Sequence, residues 1–133
     1  MSNTDTQWIE ETKWIENRFV IEFKSTGLKY ETDKFDSHST LIKGTFSLAS
    51  GNYVVAIETR TASFTNGNWV VPDQLDVTLY PPNGRIIATQ GEVHIIQRVG
   101  QKVWGRIDVS YPLEDDKKET VTGRFKTTLR VTD

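Results

Sequence analysis

The segment Val121–Val131 alternates with period two. Odd positions carry Val121, Gly123, Phe125, Thr127, Leu129 and Val131, and even positions carry Thr122, Arg124, Lys126, Thr128 and Arg130. A helix would scatter these charges around its circumference. A strand gathers them on one face and leaves the other face apolar. Most of the chain reads the same way. The pattern predicts strands at Trp14–Phe23, Leu28–Lys34, Thr40–Leu48, Asn52–Thr61, Gln74–Tyr80, Arg85–Val99, Val103–Tyr111 and Thr120–Val131, with a ninth short piece at Asn68–Val71. The N-terminus differs. Asp5 suits an N-cap, and Gln7–Trp14 reads as one or two helical turns that dock Trp8 and Ile9 on the sheet.

Strands with one apolar face need a partner surface, which a single open sheet does not supply. The expected fold is an all-β, antiparallel β-sandwich of eight to nine hairpin-connected strands. A small closed β-barrel meets the same pattern. Proline-bounded strand ends favour the sandwich, whereas inward glycines and meander order favour the barrel. Residues 1–133 form one domain. Pro81-Pro82-Asn83-Gly84 is a turn signal too short to be a linker, and Glu114–Glu119 is a charged hairpin loop.

Parity tests the turns, because a one-residue slip sends every side chain to the wrong face. A two-residue loop Ser50-Gly51 sets Leu48 opposite Tyr53 and Phe46 opposite Val55. A two-residue turn Asn83-Gly84 turns Ile86 and Ala88 inward, on even positions, yet Val93 and Ile95 look inward on odd ones. The face must switch between Ala88 and Val93, and Gly91 suits a β-bulge. Between Val99 and Val103 the parity requires an odd loop, Gly100-Gln101-Lys102, or a bulge beside it. The odd loop sets His94 opposite Asp108 and Arg98 opposite Trp104.

Composition removes several functions. The chain has no cysteine, so disulfides, thiolate metal sites and cysteine nucleophiles are excluded. Two histidines and no Asp-x-Asp-x-Asp-Gly spacing predict no metal centre, and nothing predicts a cofactor. Sixteen basic against eighteen acidic residues leave a net charge of −2, against a nucleic-acid partner. The strongest nucleic-acid feature is the outward set Trp104, Arg106, Arg124, Lys126 and Arg130, and its simpler reading is a solvated face. No apolar run reaches membrane-spanning length, and Met1–Gln7 lacks a basic and apolar export signal, so a cytoplasmic location is expected.

Candidate chemistry is sparse. Ile42-Lys43-Gly44-Thr45-Phe46, Val103-Trp104-Gly105-Arg106-Ile107 and Val121-Thr122-Gly123-Arg124-Phe125 each place a glycine on an apolar face. An inward glycine makes room for a large neighbour such as Trp69, Tyr53 or Phe19, or floors a ligand groove. His94 with Asp108 forms half of an acid–base dyad that lacks a nucleophile. Asp36-Ser37-His38-Ser39 holds triad residue types as sequence neighbours, whereas working triads assemble from distant segments. Asp115-Asp116 reads as a solvated turn, Asp73 with Asp76 offers a weak cation pair, and Glu58 with Glu22 or Glu31 offers a glycosidase-like pair.

The expectation is a non-catalytic binding or interaction module for a protein or carbohydrate. Its surface centres on Trp69 in the loop with Asn66 and Asn68, joined by Trp104 and Arg106. The alternative is a small β-barrel that carries, isomerises or hydrolyses a small apolar ligand, lined by Tyr30, Phe46, Tyr53 and Phe125. Edge strands offer a route to homo-oligomers, and Val20 and Ile96 are apolar on otherwise polar faces.

Overall fold

A computed structural model describes residues 17–60 and 63–130, and absences stated below refer to these. The expected helical turn at Gln7–Trp14 lies outside them. The described residues form eleven strands: β1 (Arg18–Phe23), β2 (Lys29–Thr32), β3 (Phe35–His38), β4 (Leu41–Leu48), β5 (Gly51–Thr59), β6 (Gly67–Val71), β7 (Leu75–Tyr80), β8 (Ile86–Ile87), β9 (Gln90–Val99), β10 (Lys102–Pro112) and β11 (Lys118–Thr128). They make two antiparallel sheets packed face to face. One has the order β2-β1-β11-β10-β9-β6 and the other β3-β4-β5-β7-β8. The sandwich is therefore the fold, and the closed barrel is overturned: each sheet ends in two edge strands, and the sheets do not join into a ring.

The alternation sorts as period two demands. Phe19, Ile21 and Phe23 of β1, Val103, Ile107 and Val109 of β10, and Val121 and Phe125 of β11 are buried between the sheets. They meet Ile42 and Phe46 of β4, Tyr53, Val55 and Ile57 of β5, and Leu75, Val77 and Leu79 of β7. Phe19 sits at the centre of an aromatic set, with ring centroids 5.8 Å from Phe35, 5.5 Å from Phe46 and 5.7 Å from Phe125. Towards one end, Phe23, Tyr30 and Tyr53 continue it at 5.5–5.8 Å. Tyr30, Phe46, Tyr53 and Phe125, the expected lining of a barrel cavity, thus pack in the sandwich core.

The inward glycines make room for this packing. A Cβ on Gly105 would collide with the His94 carbonyl, and one on Gly123 with the Val20 carbonyl, so neighbouring backbones approach where a side chain would stand.

Three differences from the sequence reading have plain causes. Phe35–His38 is a strand: its polar residues hide a two-residue alternation in which Phe35 and Ser37 point inward. The segment expected as one strand, Arg85–Val99, is two. β8 pairs with β7, the Ala88 N–H donates to the Val77 carbonyl, and the Thr89 N–H already reaches Ser110 of the other sheet. The parity switch is therefore a crossing between sheets. Gly91, with φ near +126°, follows the crossing and pairs in normal register with Val109. Finally, the turns sit slightly off their expected places. Leu48 faces Gly51 and Phe46 faces Tyr53, so Ala49-Ser50 is the loop. Leu79 faces Ile86 as parity required.

The β9–β10 hairpin resolves its parity with a bulge. Val99 faces Lys102 across the two-residue turn Gly100-Gln101, and the register shifts between Trp104 and Gly105, leaving Ile96 as the extra residue. As a result His94 faces Arg106 rather than Asp108, Trp104 faces Gln97, and Arg98 faces Val103.

Candidate functional site

The outer face of the six-stranded sheet carries a groove of about 690 Å³ that crosses β2, β1, β11, β10 and β9. Residues directly opposite in antiparallel strands share a face, so the register fixes which side chains stand side by side. At one level the sequence across the sheet is Asn68, His94, Arg106, Arg124, Val20 and Glu31. At the next level it is Val70, Glu92, Asp108, Thr122, Glu22 and Lys29. The first level is basic over β9, β10 and β11. The second is acidic over β9 and β10, with Glu22 continuing it on β1. On β2 the polarity reverses, with Glu31 closing the basic level and Lys29 the acidic one.

Arg106, Asp108 and Glu92 are exposed, while His94, Arg124, Thr122, Val20 and Glu22 are half-buried. Burial pushes the Arg124 guanidinium below its usual range, and the nearby Glu31 carboxylate pulls it back. Glu31 also pairs with Arg18 at 3.4 Å, and Glu22 with Lys24 at 3.2 Å. The His94 Nδ1 hydrogen-bonds Asn68 Oδ1 on β6. Since a carbonyl oxygen only accepts, Nδ1 carries the proton and donates, which fixes the ring's orientation. A second groove of about 370 Å³ adjoins the acidic level, lined by Val70, Gln90, Glu92, Asp108, Ser110, Lys118 and Thr120.

Of the residues singled out from sequence, Arg106 lies in the large groove. Trp104 lies one level beyond the basic one and is only 1 % exposed. The Lys126 ammonium sits 5.4 Å from its ring centroid, a cation–π contact, and its Nε1 has no hydrogen-bond partner among the described residues. Trp69 points toward the core, its ring edge-on to Phe64 at 6.2 Å and its Nε1 donating to the Thr65 carbonyl at 2.9 Å. Asn66 Oδ1 accepts the Arg98 N–H at 2.8 Å, and the Arg98 guanidinium donates to the carbonyls of Phe64 and Gly100. The amides around Trp69 thus fasten the loop to β9 and orient His94. The five candidates do not converge: Asn68 and Arg106 flank His94, while Trp69, Asn66 and Trp104 stand apart from the groove.

The other constellations separate. On β3 the Ser37 side chain enters the core, Asp36 pairs with Arg130 and with Lys43 on the outside, and His38 Nδ1 caps Thr40, so no triad forms. Glu58 faces out from the five-stranded sheet, opposite to Glu22 and Glu31, which rules out a paired-carboxylate site. Asp76 pairs with Arg60 at 2.7 Å. Arg130 has left the face of Trp104 and bridges to His38. Val20 and Ile96 both lie on interior strands, so neither marks a sheet edge. Among the described residues no helix is long and apolar enough to cross a membrane.

Sequence reading set Arg124 on one face with Arg106 but did not bring Glu22, Glu31 and Glu92 to them. The signal was strand parity, which placed each on an outward face. Their alignment depends on the Ile96 bulge and on the pairing of β1 with β11. Compared with known proteins, the chain matches no family model, no curated protein and no solved structure.

Proposed function

We propose that the protein is a non-catalytic binding module that takes a polar ligand in the groove on the outer face of the six-stranded sheet. The observation that carries this reading is the segregation of charge inside the groove. Arg106 stands directly opposite Arg124, and Asp108 directly opposite Glu92. Like charges directly opposite in a sheet destabilise it. A face selected for stability alone would alternate the signs across the strands as well as along them. A face that receives a ligand gains from keeping them apart, because charge complementarity sets orientation and specificity.

The groove volume lies within the range usual for small-molecule sites. Its residues sit on paired strands, a more rigid support than a loop. His94 hydrogen-bonds Asn68 and no serine or threonine hydroxyl among the described residues, which favours recognition over nucleophilic catalysis. The reading moves the binding surface from the Trp69 loop to the sheet. An apolar-ligand carrier has less support, since the aromatic residues that would line its cavity pack against one another.

The test is a screen of small polar fragments by ¹H–¹⁵N correlation spectroscopy. Hits should shift the amides of Val20, Arg106, Thr122 and Arg124 together. Hits confined to the Thr65–Trp69 loop or to the other sheet, or a screen without hits, would overturn the reading.

A further inference from the structure

We infer that the groove takes a small dipolar ligand, with a carboxylate or phosphate seated over Arg106 and Arg124 and an ammonium over Asp108 and Glu92. This rests on the binding-module reading and specifies its ligand class. Arg106 and Asp108 are two residues apart on one strand and share a face, so their Cα atoms are separated by about 6.7 Å. Arg124 and Glu92 flank them on the neighbouring strands, one at each level. The four side chains therefore form two like-charged pairs that share β10, the basic pair reaching onto β11 and the acidic pair onto β9. Two guanidiniums side by side offer planar forks that match the oxygens of one carboxylate or phosphate. Two carboxylates side by side accept the three N–H donors of an ammonium. His94, oriented by Asn68, extends the basic level by one strand.

Other ligand classes fit less well. A polyanion laid across the sheet would meet Glu92, Asp108 and Glu22, and a polycation would meet Arg106 and Arg124. A neutral sugar would carry no charge to complement either level. The basic level covers three strands, β9, β10 and β11, before apolar Val20 on β1 and Glu31 on β2 end it. That span is about 10 Å, the scale of a small molecule. Half-buried Thr122, two residues from Arg124 on β11 and opposite Asp108 on β10, offers a surface for the methylenes that join the two charges.

The experiment titrates the protein with glycine, γ-aminobutyrate, ε-aminocaproate and phosphoethanolamine. Butyrate and butylammonium serve as singly charged controls. Binding is followed by amide shifts in the groove and by calorimetry. The longer dipolar compounds should bind at least roughly tenfold more tightly than either control, and glycine, with its charges too close, should bind like a control. Arg106→Gln and Asp108→Asn, both exposed and checked for folding by circular dichroism, should each weaken the dipolar compounds about tenfold. Tighter binding of either the carboxylate or the phosphate compounds supports the inference and names the anion. If butyrate or butylammonium shifts the groove amides as strongly as the dipolar compounds, the dipolar inference fails and the groove reading stands. If no compound shifts them, both fail.

Discussion

Gly44 lies directly beneath the ring of Phe19: a Cβ built on Gly44 would stand 2.7 Å from Phe19 Cδ2. Phe19 comes from the other sheet, so this contact sets how closely the two layers approach at the centre of the core. The ring has little room to retreat, since Phe35, Phe46 and Phe125 surround it. Gly44→Ala should therefore destabilise the fold by about 1–3 kcal/mol, the usual cost of overpacking. The companion variant Phe19→Leu separates this from a backbone effect. In the double variant the cost of the added methyl should shrink, and urea unfolding of the four-protein cycle measures the coupling. Additive effects would refute the contact as the cause.

Gly123 gives a second test, with an internal control next to it. A side chain there would meet the Val20 carbonyl on β1 and Ile21 Cγ2 at 3.1 Å. The first obstacle is backbone within a paired strand, which cannot give way without breaking the sheet. Gly123→Val should lower the urea midpoint even though valine favours strands. Thr122→Val, one residue away on the outer face, should leave it nearly unchanged. An unchanged or raised midpoint for Gly123→Val would mean that the glycine has no packing role.

These glycines show what was legible in the chain. Alternation alone assigned the faces of β1, β4, β5, β7, β10 and β11, because each has one buried and one solvated side and the sandwich needs no more. It failed where a residue's partner came from the second sheet. Ile86 and Val93 read as one strand, since nothing local says that Ala88 hydrogen-bonds Val77 while Thr89 hydrogen-bonds Ser110. β3 was hidden because Asp36-Ser37-His38 has turn chemistry and only its pairing with β4 makes it a strand. The groove was half legible. Arg106, Asp108 and His94 were placed outward correctly, but moving the bulge to Ile96 changes who stands opposite whom, and that alignment creates the charge levels. The aromatic loop drew attention because a tryptophan among amides resembles a binding surface. In the fold those amides serve Arg98 and His94.

Glu119 is a buried carboxylate that fastens one end of the sandwich. Its Oε2 accepts the N–H groups of Ser25 at 2.9 Å and Thr120 at 3.2 Å, and its Oε1 accepts the Ser25 hydroxyl at 2.5 Å. It thereby ties the β1–β2 turn to β11. Glu119→Ala removes the acceptor and leaves the Ser25 and Thr120 donors to find others, at a cost of about 1–3 kcal/mol. The expected signature is local as well as global: amide hydrogen exchange should quicken at Ser25–Leu28 more than at Val103–Val109. Uniform acceleration across the sheet would show that Glu119 supports the whole fold rather than this turn.

Near the same end, Tyr53 makes stability depend on alkaline pH. Burial pushes the Tyr53 phenol well above the usual tyrosine value, and the phenols of Tyr111 and Tyr30 and the Glu119 carboxylate add to the shift. Tyr111 is raised by burial and by the same carboxylate. The sign follows from linkage. The native state holds the Tyr53 proton more tightly than the unfolded chain does, where tyrosine titrates near a pKa of about 10. Below that value both states are protonated and the full stability is present. As pH rises above it the unfolded state releases its proton first, so stability falls until the native phenol also ionises. The slope from this group is at most about 1.4 kcal/mol per pH unit. Tyr53→Phe keeps the ring contacts with Phe23 and Tyr30 and removes the titration. Urea unfolding at several pH values between neutrality and strong alkali should therefore give a shallower alkaline decline for Tyr53→Phe than for the wild type. Parallel declines would show that the phenol ionises as easily in the fold as in the unfolded chain.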